Sequence, residues 1–262
     1  MIVGCIMTLN NEIYIENALK SLSSVSDRIV VVDGGSTDST IDVCRDYTDE
    51  IIINKWPGNH SEQRNVYLDY VKRNYPNSWC FNLDSDETIE PSKSKVILEL
   101  CKSETKRFYW FQRKWLINVD PIAYITSPPH FPDWQLRLFK ACKRTEYSGL
   151  IHENLTGKSF FHKMSGIPYV KLLSRRIIDF DIFHFDLILN SYNRRKEKAR
   201  KYESIEQGSG GWNYYLPEDF ATGFSVTVDS HAKPIITHSI LRAIEENKQH
   251  WKSYMASKVN AF

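Results

Sequence analysis

The chain has 262 residues, of which 42% are hydrophobic and 25% are charged, and its formal net charge is +2. This composition is ordinary for a soluble globular protein, and the small net charge excludes a global attraction to nucleic acid or to an anionic membrane. No stretch approaches the ~20 apolar residues of a membrane span, and the apolar amino terminus lacks the basic flank of a signal peptide, so we expect a cytoplasmic protein, at most peripheral to a membrane.

The first half of the chain alternates strand patterns with helix patterns. Short apolar or β-branched runs predict strands, whereas apolar residues spaced by three and four positions predict helices. In chain order, the predicted elements are a strand at 2–7, a helix at 11–22, a strand at 28–32, a helix at 37–47, a strand at 51–54, a helix at 62–75 and a strand at 79–83. This order predicts a parallel sheet with helices on both of its faces.

The second half is less regular. In chain order, it predicts a strand at 108–113, an ordered proline- and aromatic-rich loop, a strand at 135–140, a long helix at about 186–206, a linker at 208–211, a strand at 224–228 and a terminal helix from about 240. We interpret the basic residues of the long helix as a solvated face, with contact to an anionic acceptor as the alternative. We divide the chain into a domain at 1–207, made of a first half at 1–107 and a second half at 108–207, and an extension at 208–262 without an assigned role.

Polar loops follow three of the predicted strands. Thr8–Asn10 follows the first strand, Asp33–Gly35 follows the second and Asp84–Asp86 follows the fourth. Ligands of open parallel sheets bind at the carboxyl ends of the strands, which is where these three loops meet. The sequence therefore predicts a binding site at this edge of the sheet.

Asp84 and Asp86 are the strongest candidates for holding a metal. Residues two apart in an extended chain point to the same face, so both carboxylates can reach one hard cation, or one cation and a ribose. The same stretch also fits the opening motif of haloacid-dehalogenase-like phosphatases, in which the first aspartate is a nucleophile, although those enzymes carry the motif on their first strand. A solvated turn is the structural alternative.

The motifs occur in the order of a known family. They are Val3–Asn10 with Glu12, Val31–Thr40, Gln63–Asn65, Leu83–Glu87, Gln135–Phe139, Gly149–Glu153 and His184-Phe185. Together they span about residues 1–205 and resemble the family 2 glycosyltransferases of the GT-A fold, with the lipopolysaccharide-core β-glycosyltransferases as the most similar group. The resemblance implies an α/β fold with a Rossmann-like, mostly parallel sheet flanked by helices and a helical or mixed carboxyl-terminal extension.

The resemblance also implies roles for individual residues. The implied contacts to the nucleotide sugar are Thr8, Asn10, Glu12, Asp33, Arg64 and Asp84, the implied metal ligands are Asp86 and His184, and the implied catalytic carboxylate is Glu153. From the residues alone, structural alternatives stay open: helix capping for Asp33 and for His152 with Glu153, a surface ion pair for Arg64 and a core position for His184.

The implied reaction transfers a sugar from a nucleoside-diphosphate sugar, expected to be a UDP-sugar, to an acceptor hydroxyl. Mn²⁺ or Mg²⁺ would stabilise the diphosphate leaving group, and Glu153 would take the hydroxyl proton in a single displacement that inverts the anomeric configuration. We place the acceptor contacts at His152 and, within the aromatic stretch 108–134, at Trp110, Trp115 and Trp134.

Several alternatives stay open at the level of sequence. The acceptor can be a glycan, a lipid-linked sugar or a modified nucleic acid, and the oligomeric state is not predicted. The competing hypotheses for the function are the Mg²⁺-dependent phosphatase and a catalytically inactive GT-A domain that only binds a partner.

Overall fold

The computed structural model describes residues 1–150, 153–157, 170, 173–208, 210–219 and 223–247. Its strands are β1 Ile2–Thr8, β2 Arg28–Asp33, β3 Ile51–Ile53, β4 Trp79–Asn82, β5 Glu87–Thr88, β6 Phe108–Val119, β7 Ile122–Ile125, β8 Asp133–Lys140, β9 Thr145–Ser148, β10 Asn154–Gly157, β11 Ser174–His184 and β12 Val226–Asp229. Its helices are α1 Ile15–Ser23, α2 Thr40–Arg45, α3 His60–Asn74, α4 Ser94–Cys101, α5 Asp186–Leu189, α6 Tyr192–Ile205 and α7 Gly211–Tyr215, and residues 238–247 are also helical. Short 3₁₀ helices lie at Pro91–Lys93 and Pro217–Asp219.

The seven elements predicted in the first half are confirmed, with ends that differ by a few residues. α1 begins only at Ile15, because residues 11–14 form a turn before it. α2 begins at Thr40, three residues later than predicted, because the loop before it is tied to the loop after β1. In that tie, the backbone N–H of Thr37 donates to Asn10 Oδ1 at 2.8 Å.

In the described part of the chain, a ten-stranded sheet forms the centre of the molecule. Its main path is β12-β7-β6-β8-β4-β1-β2-β3, and β11 and β5 pair beside this path. β3, β2, β1 and β4 are parallel, β8 runs antiparallel to β4, and β11 is parallel to β6. The predicted α/β class, with a mostly parallel sheet flanked by helices, is confirmed.

β1 lies in the middle of the parallel strands and is buried on both faces. Ile2 and Ile6 pack in the cluster that contains the apolar face of α1, whereas Val3 and Cys5 pack in the cluster that contains the apolar face of α3. Because side chains alternate between the two faces of a strand and both faces of β1 are buried, its sequence is apolar at successive positions. Helices cover both faces, and the carboxyl ends of the strands remain accessible at one edge.

The prediction of a loop between the strands at 108–113 and 135–140 is partly wrong, because part of this stretch forms strands. β6 continues to Val119 and turns back into β7, which pairs antiparallel with it. All four residues of β7, Ile122–Ile125, are buried, so this stretch is apolar on both faces and gives no alternating pattern to detect.

The long helix predicted at about 186–206 is two helices. α5 ends at Leu189, and Asn190 adopts an extended conformation with ψ of 132°. Ser191 then caps α6, because its side chain accepts a hydrogen bond from the backbone N–H of Arg194. The capping serine was present in the sequence, but the continuous apolar spacing concealed the break.

The described residues after 207 include several that pack against the rest of the chain. β12 pairs antiparallel with β7, and Ile240 belongs to the same buried cluster as Phe183. At Gly211 an added Cβ would lie 3.1 Å from Tyr202 Cβ, so glycine allows α7 to approach α6 closely. The division of the chain at 207/208 stays a prediction. None of the helices in the described residues is long and apolar enough to cross a membrane.

Replacing Gly4 by alanine should destabilise the protein, because α1 packs directly on this position of β1. The added Cβ would lie 2.8 Å from Ser26 Oγ and 3.2 Å from Leu22 Cβ. Overpacking of this kind costs about 1–3 kcal/mol of unfolding free energy, which urea denaturation would measure. The Ser26→Ala background removes the nearer contact and should recover part of the loss. An unchanged stability in Gly4→Ala would mean that α1 shifts to accommodate the methyl group.

Candidate active site

A cleft of about 1490 Å³ opens at the carboxyl edge of the parallel strands. The sequence-predicted residues that line it are Thr8, Arg64, Asp84, Asp86, Trp110, Trp115, Trp134, Glu153 and His184. They come from β1, α3, the loop after β4, β6, β8, the residue before β10, and β11. The topology of the sheet therefore brings these separate motifs to one place.

Asp84 is held between two arginines. Its Oδ1 accepts a hydrogen bond from Arg64 Nη2 and its Oδ2 accepts one from Arg137 Nη2, both at 2.6 Å. Arg137 also donates to Glu87, which is fully buried, at 2.5 Å. Burial by itself would raise the pKa of Asp84, but the guanidinium groups of Arg137 and Arg64 outweigh it and hold that pKa well below its usual value. Asp84 is therefore anionic, and its contact to a ribose or a metal stays a prediction.

Glu153 is attached to the same network through Arg64. Arg64 Nε donates to Glu153 Oε1 at 3.2 Å, and the Glu153 side chain keeps 20% of its surface exposed to the cleft. Burial raises the pKa of Glu153, but the charges of Arg64 and then His60 outweigh it, so the pKa lies below the ordinary value of 4.5. The carboxylate is therefore ionised at neutral pH and accessible from the cleft.

Asp86 and His184 form a close pair. Asp86 Oδ2 and His184 Nε2 are 3.3 Å apart. The backbone brings them together, because β5 pairs antiparallel with β11 and the N–H of Phe185 donates to the Asp86 carbonyl at 3.0 Å. Burial raises the pKa of Asp86, but His184 and then Lys198 outweigh it and lower the pKa to about 2. A carboxylate and an imidazole thus lie side by side in the cleft.

The chemistry of this pair fits a cation that takes further ligands from a substrate. Carboxylates suit Mg²⁺ and Mn²⁺, whereas imidazole suits transition metals. The described residues contain no group of three or more His, Cys, Asp and Glu side chains that could hold a metal by themselves. Within that part of the chain the buried Nδ1 of His184 also has no hydrogen-bond partner, although metal-bound histidines usually have one there. Metal binding by Asp86 and His184 therefore stays a prediction.

Asp33 shapes its own loop. Its side chain is buried, and Oδ1 accepts hydrogen bonds from the backbone N–H groups of Gly35 and Ser36, each at 2.8 Å. Gly35 has a φ of +97°, which favours glycine and allows the loop to turn around the carboxylate. Asp33 is not among the described residues that line the cleft. Its contact to a nucleotide base stays a prediction.

Asn10 and Glu12 also hold backbone groups of the neighbouring loop. Asn10 Oδ1 accepts from the N–H of Thr37, and Glu12 Oε2 accepts from the N–H of Ser39 at 2.9 Å. Both residues lie outside the described lining of the cleft, in which Asn11 and Thr8 are present instead. These hydrogen bonds stabilise the loop after β1, and the nucleotide contacts of Asn10 and Glu12 stay predictions.

A polar cluster around Asp133 was not predicted from the sequence. Its Oδ2 accepts from Arg113 Nε and from Trp115 Nε1, both at 2.7 Å. The Trp115 ring is only 2% exposed and packs edge-on against His184, with ring centres 4.3 Å apart. The Trp115 ring thus supports His184, and because Trp115 also lines the cleft, its role as a stacking surface for the acceptor stays a prediction. Only the pairing register of β6 and β8 would have revealed this cluster.

The interpretation of the basic residues on α6 as a solvated face is wrong for Arg195 and only partly right for Lys198, whose side chain is 35% exposed. Arg195 is fully buried and forms an ion pair with Glu218. Lys198 lines the cleft, donates to Asp186 at 2.5 Å and lies 4.6 Å from the centre of the Tyr215 ring. Burial lowers the pKa of Lys198, but the charge of Asp186 outweighs it and raises the pKa well above its usual value. The cleft therefore contains a permanently charged lysine that the helical pattern did not reveal.

Two of the other predicted acceptor residues lie in the cleft. Trp110 on β6 and Trp134 on β8 line the cleft and are partly exposed. His152 lies outside the described residues. The contacts of these residues to an acceptor stay predictions.

The amino-acid sequence matches a known family over most of this architecture. Residues 5–165 match the family described as "Glycosyl transferase family 2". The lipopolysaccharide core biosynthesis glycosyltransferase LpsC of Rhizobium meliloti (strain 1021) is 28% identical over 159 residues, which cover 57% of this chain and 55% of that protein. The uncharacterized glycosyltransferase RT0209 of Rickettsia typhi is 27% identical over 113 residues, which cover 43% of this chain and 37% of that protein. The matched region thus spans about half or less of these curated relatives.

Solved structures show weaker likeness. Glucosyl-3-phosphoglycerate synthase from Mycobacterium tuberculosis, in complex with Mg²⁺ and UDP, is 18% identical with a TM-score of 0.34, and the match covers 44% of this chain and 43% of that one. S. aureus TarS 1–349 is 16% identical with a TM-score of 0.44, and the match covers 83% of this chain and 69% of that one. Both TM-scores are below 0.5.

Replacing Asp84 by asparagine should destabilise the fold, because two buried guanidinium groups lose their shared counter-charge. Removing one partner of a buried ion pair costs about 3–5 kcal/mol, and the partial exposure of Asp84 places the expected loss at about 3 kcal/mol. Urea unfolding at neutral pH measures it. The control is Asp42→Asn, which breaks an exposed pair with Arg45 and should change the stability by less than about 0.5 kcal/mol. Equal effects of the two variants would show that the Asp84 network is fully solvated.

Proposed function

This chain belongs to glycosyl transferase family 2, and we propose that it transfers a sugar from a nucleoside-diphosphate sugar to an acceptor hydroxyl with the help of a divalent cation. The observation that carries the proposal is that Asp84, Asp86, His184 and Glu153 line one cleft at the carboxyl edge of the parallel strands. Ligands of open α/β sheets bind at this edge. The relatives LpsC and RT0209 are both named as glycosyltransferases, which supports the reaction class.

We assign the cation to Asp86 and His184. Their donor atoms are 3.3 Å apart, and a pair of protein ligands leaves room for diphosphate oxygens in the shell. When bound, the cation stabilises the negative charge that develops on the leaving nucleoside diphosphate. The mixed carboxylate and imidazole set favours Mn²⁺ over Mg²⁺.

Lys198 supports the same leaving group. It enters the cleft from α6, stays charged because of Asp186, and contributes to the low pKa of Asp86, so it lies within electrostatic reach of the proposed cation. A fixed ammonium beside the diphosphate stabilises charge without having to change its protonation state.

We assign Glu153 as the base that accepts the proton of the acceptor hydroxyl. Arg64 holds Oε1, which orients the carboxylate, and the exposed part of the side chain faces the cleft. Because its pKa is low, Glu153 takes the proton while the new bond to the anomeric carbon forms, not before. One base acting on an attacking hydroxyl opposite the leaving diphosphate gives a single displacement, and therefore inversion at the anomeric carbon.

The phosphatase hypothesis has no support in this cleft. Asp84 follows the fourth strand of the chain, and both of its carboxylate oxygens accept hydrogen bonds from arginines. A carboxylate engaged in this way is a poor nucleophile. The family match includes this loop, which also favours the transferase.

Replacing Asp86 or His184 by alanine should abolish the Mn²⁺-dependent part of nucleoside-diphosphate binding, because each variant removes one of two protein donors. Isothermal titration with UDP, ADP, GDP and CDP, each with and without Mn²⁺, measures this part. Exposed residues of the same type outside the cleft provide the controls, as Asp46→Ala and His231→Ala. Mn²⁺-dependent affinity that survives in Asp86→Ala would remove the metal assignment. Binding of no nucleoside diphosphate by the unaltered chain would contradict the transferase proposal itself.

Glu153→Gln should leave donor binding near normal while turnover falls by about 10²–10⁴-fold, because the variant keeps the shape of the side chain and loses the base. Release of the nucleoside diphosphate from the preferred donor, with and without added acceptor, measures turnover. Glu99→Gln, which alters an exposed residue paired with Lys102, is the matched control. Turnover in Glu153→Gln equal to that of the control would exclude Glu153 as the base.

The pH dependence of turnover gives an independent check of Glu153. A base is active in its ionised form, so activity falls as the pH falls through its pKa. Because the pKa of Glu153 lies below 4.5, this group should cause no loss of kcat/KM between pH 8 and pH 5.5. An acid limb above pH 6 that moves in the Glu153→Asp variant would show that the pKa is raised in the complex.

A further inference from the structure

The start of β11, together with the neighbouring strands β6 and β8, forms a basic and aromatic wall of the cleft. Ser174–Ile177 pairs in parallel with β6, so that Arg176 lies beside Trp110 in the register. β8 lies on the other side of β6 and places Trp134 opposite Gln112. We call the four side chains Trp110, Trp134, Arg175 and Arg176 the β11 wall, and all four line the cleft. The arginines are exposed and the tryptophans are partly exposed, so a ligand can reach them.

The tryptophans of the β11 wall are held in place by neighbours. Trp110 Nε1 donates to Ser174 Oγ at 3.2 Å. The guanidinium carbon of Arg176 lies 5.2 Å from the centre of the Trp134 ring, within the range of a cation–π contact. Such a contact fixes the position of a guanidinium without using its N–H donors, which remain available for an anion.

The acidic side chains of the cleft are already paired with other residues. In the described lining of the cleft, Asp84 pairs with Arg64 and Arg137, Asp133 with Arg113, and Glu153 with Arg64, whereas Asp86 lies 3.3 Å from His184. Within the described residues, neither Arg175 nor Arg176 forms an ion pair with an acid. The sequence also contains no Asp or Glu between residues 154 and 178. The β11 wall therefore presents two guanidinium groups whose charge is not compensated by a neighbouring acid.

We propose that the acceptor of this enzyme is an anionic sugar, one that carries a phosphate or a carboxylate group, and that the β11 wall is its binding site. The tryptophans provide flat apolar faces for a sugar ring, and the guanidinium group of Arg176, which shares the sheet face of Trp110, binds the anionic substituent in the bidentate manner that arginine favours. Arg175, the next residue of the strand, starts from the opposite face and adds positive charge at the rim of the cleft. This inference rests on the proposed transferase function and specifies the substrate class of its acceptor side.

The test compares anionic sugars with their neutral counterparts on the full chain saturated with Mn²⁺ and UDP. The probes are hexose phosphates, hexuronic acids, the corresponding neutral hexoses and inorganic phosphate alone, and binding is measured by ligand-observed NMR. We expect at least about tenfold tighter binding of the anionic sugars than of the neutral ones, which corresponds to one charge-assisted hydrogen bond. The two anionic sets show whether phosphate or carboxylate is preferred.

Substitutions then assign the preference to the β11 wall. The Arg175→Gln/Arg176→Gln double variant should lose the preference for anionic sugars while UDP binding is retained. Trp134→Leu should weaken the binding of neutral sugars as well as of anionic ones, since the ring contacts Arg176 too. The Arg28→Gln/Arg144→Gln double variant removes the same charge from exposed positions outside the cleft and should keep the preference.

The outcomes separate this inference from the function on which it rests. Intact Mn²⁺-dependent UDP binding without any preference for anionic sugars, or with binding of none of them, would overturn the acceptor assignment and leave the transferase in place. Inorganic phosphate that binds as tightly as the sugar phosphates would overturn the role of the tryptophans. Failure of UDP itself to bind would overturn the proposed function instead.

Discussion

The need to compensate buried charge determines how this cleft is built. The side chains of Arg64 and Arg137 are each 5% exposed, and a guanidinium so far from water is unfavourable unless its donors face acceptors. Asp84 accepts from both arginines and Glu87 accepts from Arg137, and both acids belong to the segment that directly follows β4. Within the described residues, Nε of Arg137 is the one buried nitrogen of these two guanidinium groups without a hydrogen-bond partner. Because Arg64 lies on α3 and Arg137 on β8, the ion pairs hold two elements against the loop that contains Asp84. Glu153 is attached to this arrangement through Arg64, so the position of the candidate base depends on it too.

The parts of the fold that the sequence predicts well are those with a local cause. Strand and helix patterns in the first half are periodic and bounded by turn residues, and their alternation leads directly to the parallel sheet. The site at its carboxyl edge follows from the same argument, and Asp84, Asp86, Arg64 and Glu153 do meet there. His184 was predicted as a site residue only from its match to a family motif. Its place beside Asp86 results from the pairing of β5 with β11, which no local pattern predicts.

The parts that the sequence did not predict depend on distant neighbours. Asp133 and Trp115 lie on different strands, and only the register of β6 and β8 shows that they are hydrogen-bonded. Lys198 belongs to a helix with basic residues all around it, so periodicity could not distinguish its cleft-facing side from a solvated one. Likewise the sequence does not show that Oδ1 of Asp33 accepts hydrogen bonds from the backbone of its own loop. In each case the deciding contact joins atoms whose proximity depends on the tertiary fold or on the exact path of a loop.

The charge of the cleft is distributed unequally, and the proposed reaction gives a reason. On the side of Asp84 and Asp86 the charges of the protein are paired with one another, so added negative charge from a diphosphate requires a cation and the help of Lys198. An anionic acceptor brought close to that diphosphate would be repelled, since like charges in a partly desolvated cleft interact strongly. A separate pair of cations at Arg175 and Arg176 offsets this repulsion and does not compete for the ligands of the leaving group. The unpaired charge on the β11 wall is therefore what such a cleft needs if both of its substrates are negatively charged.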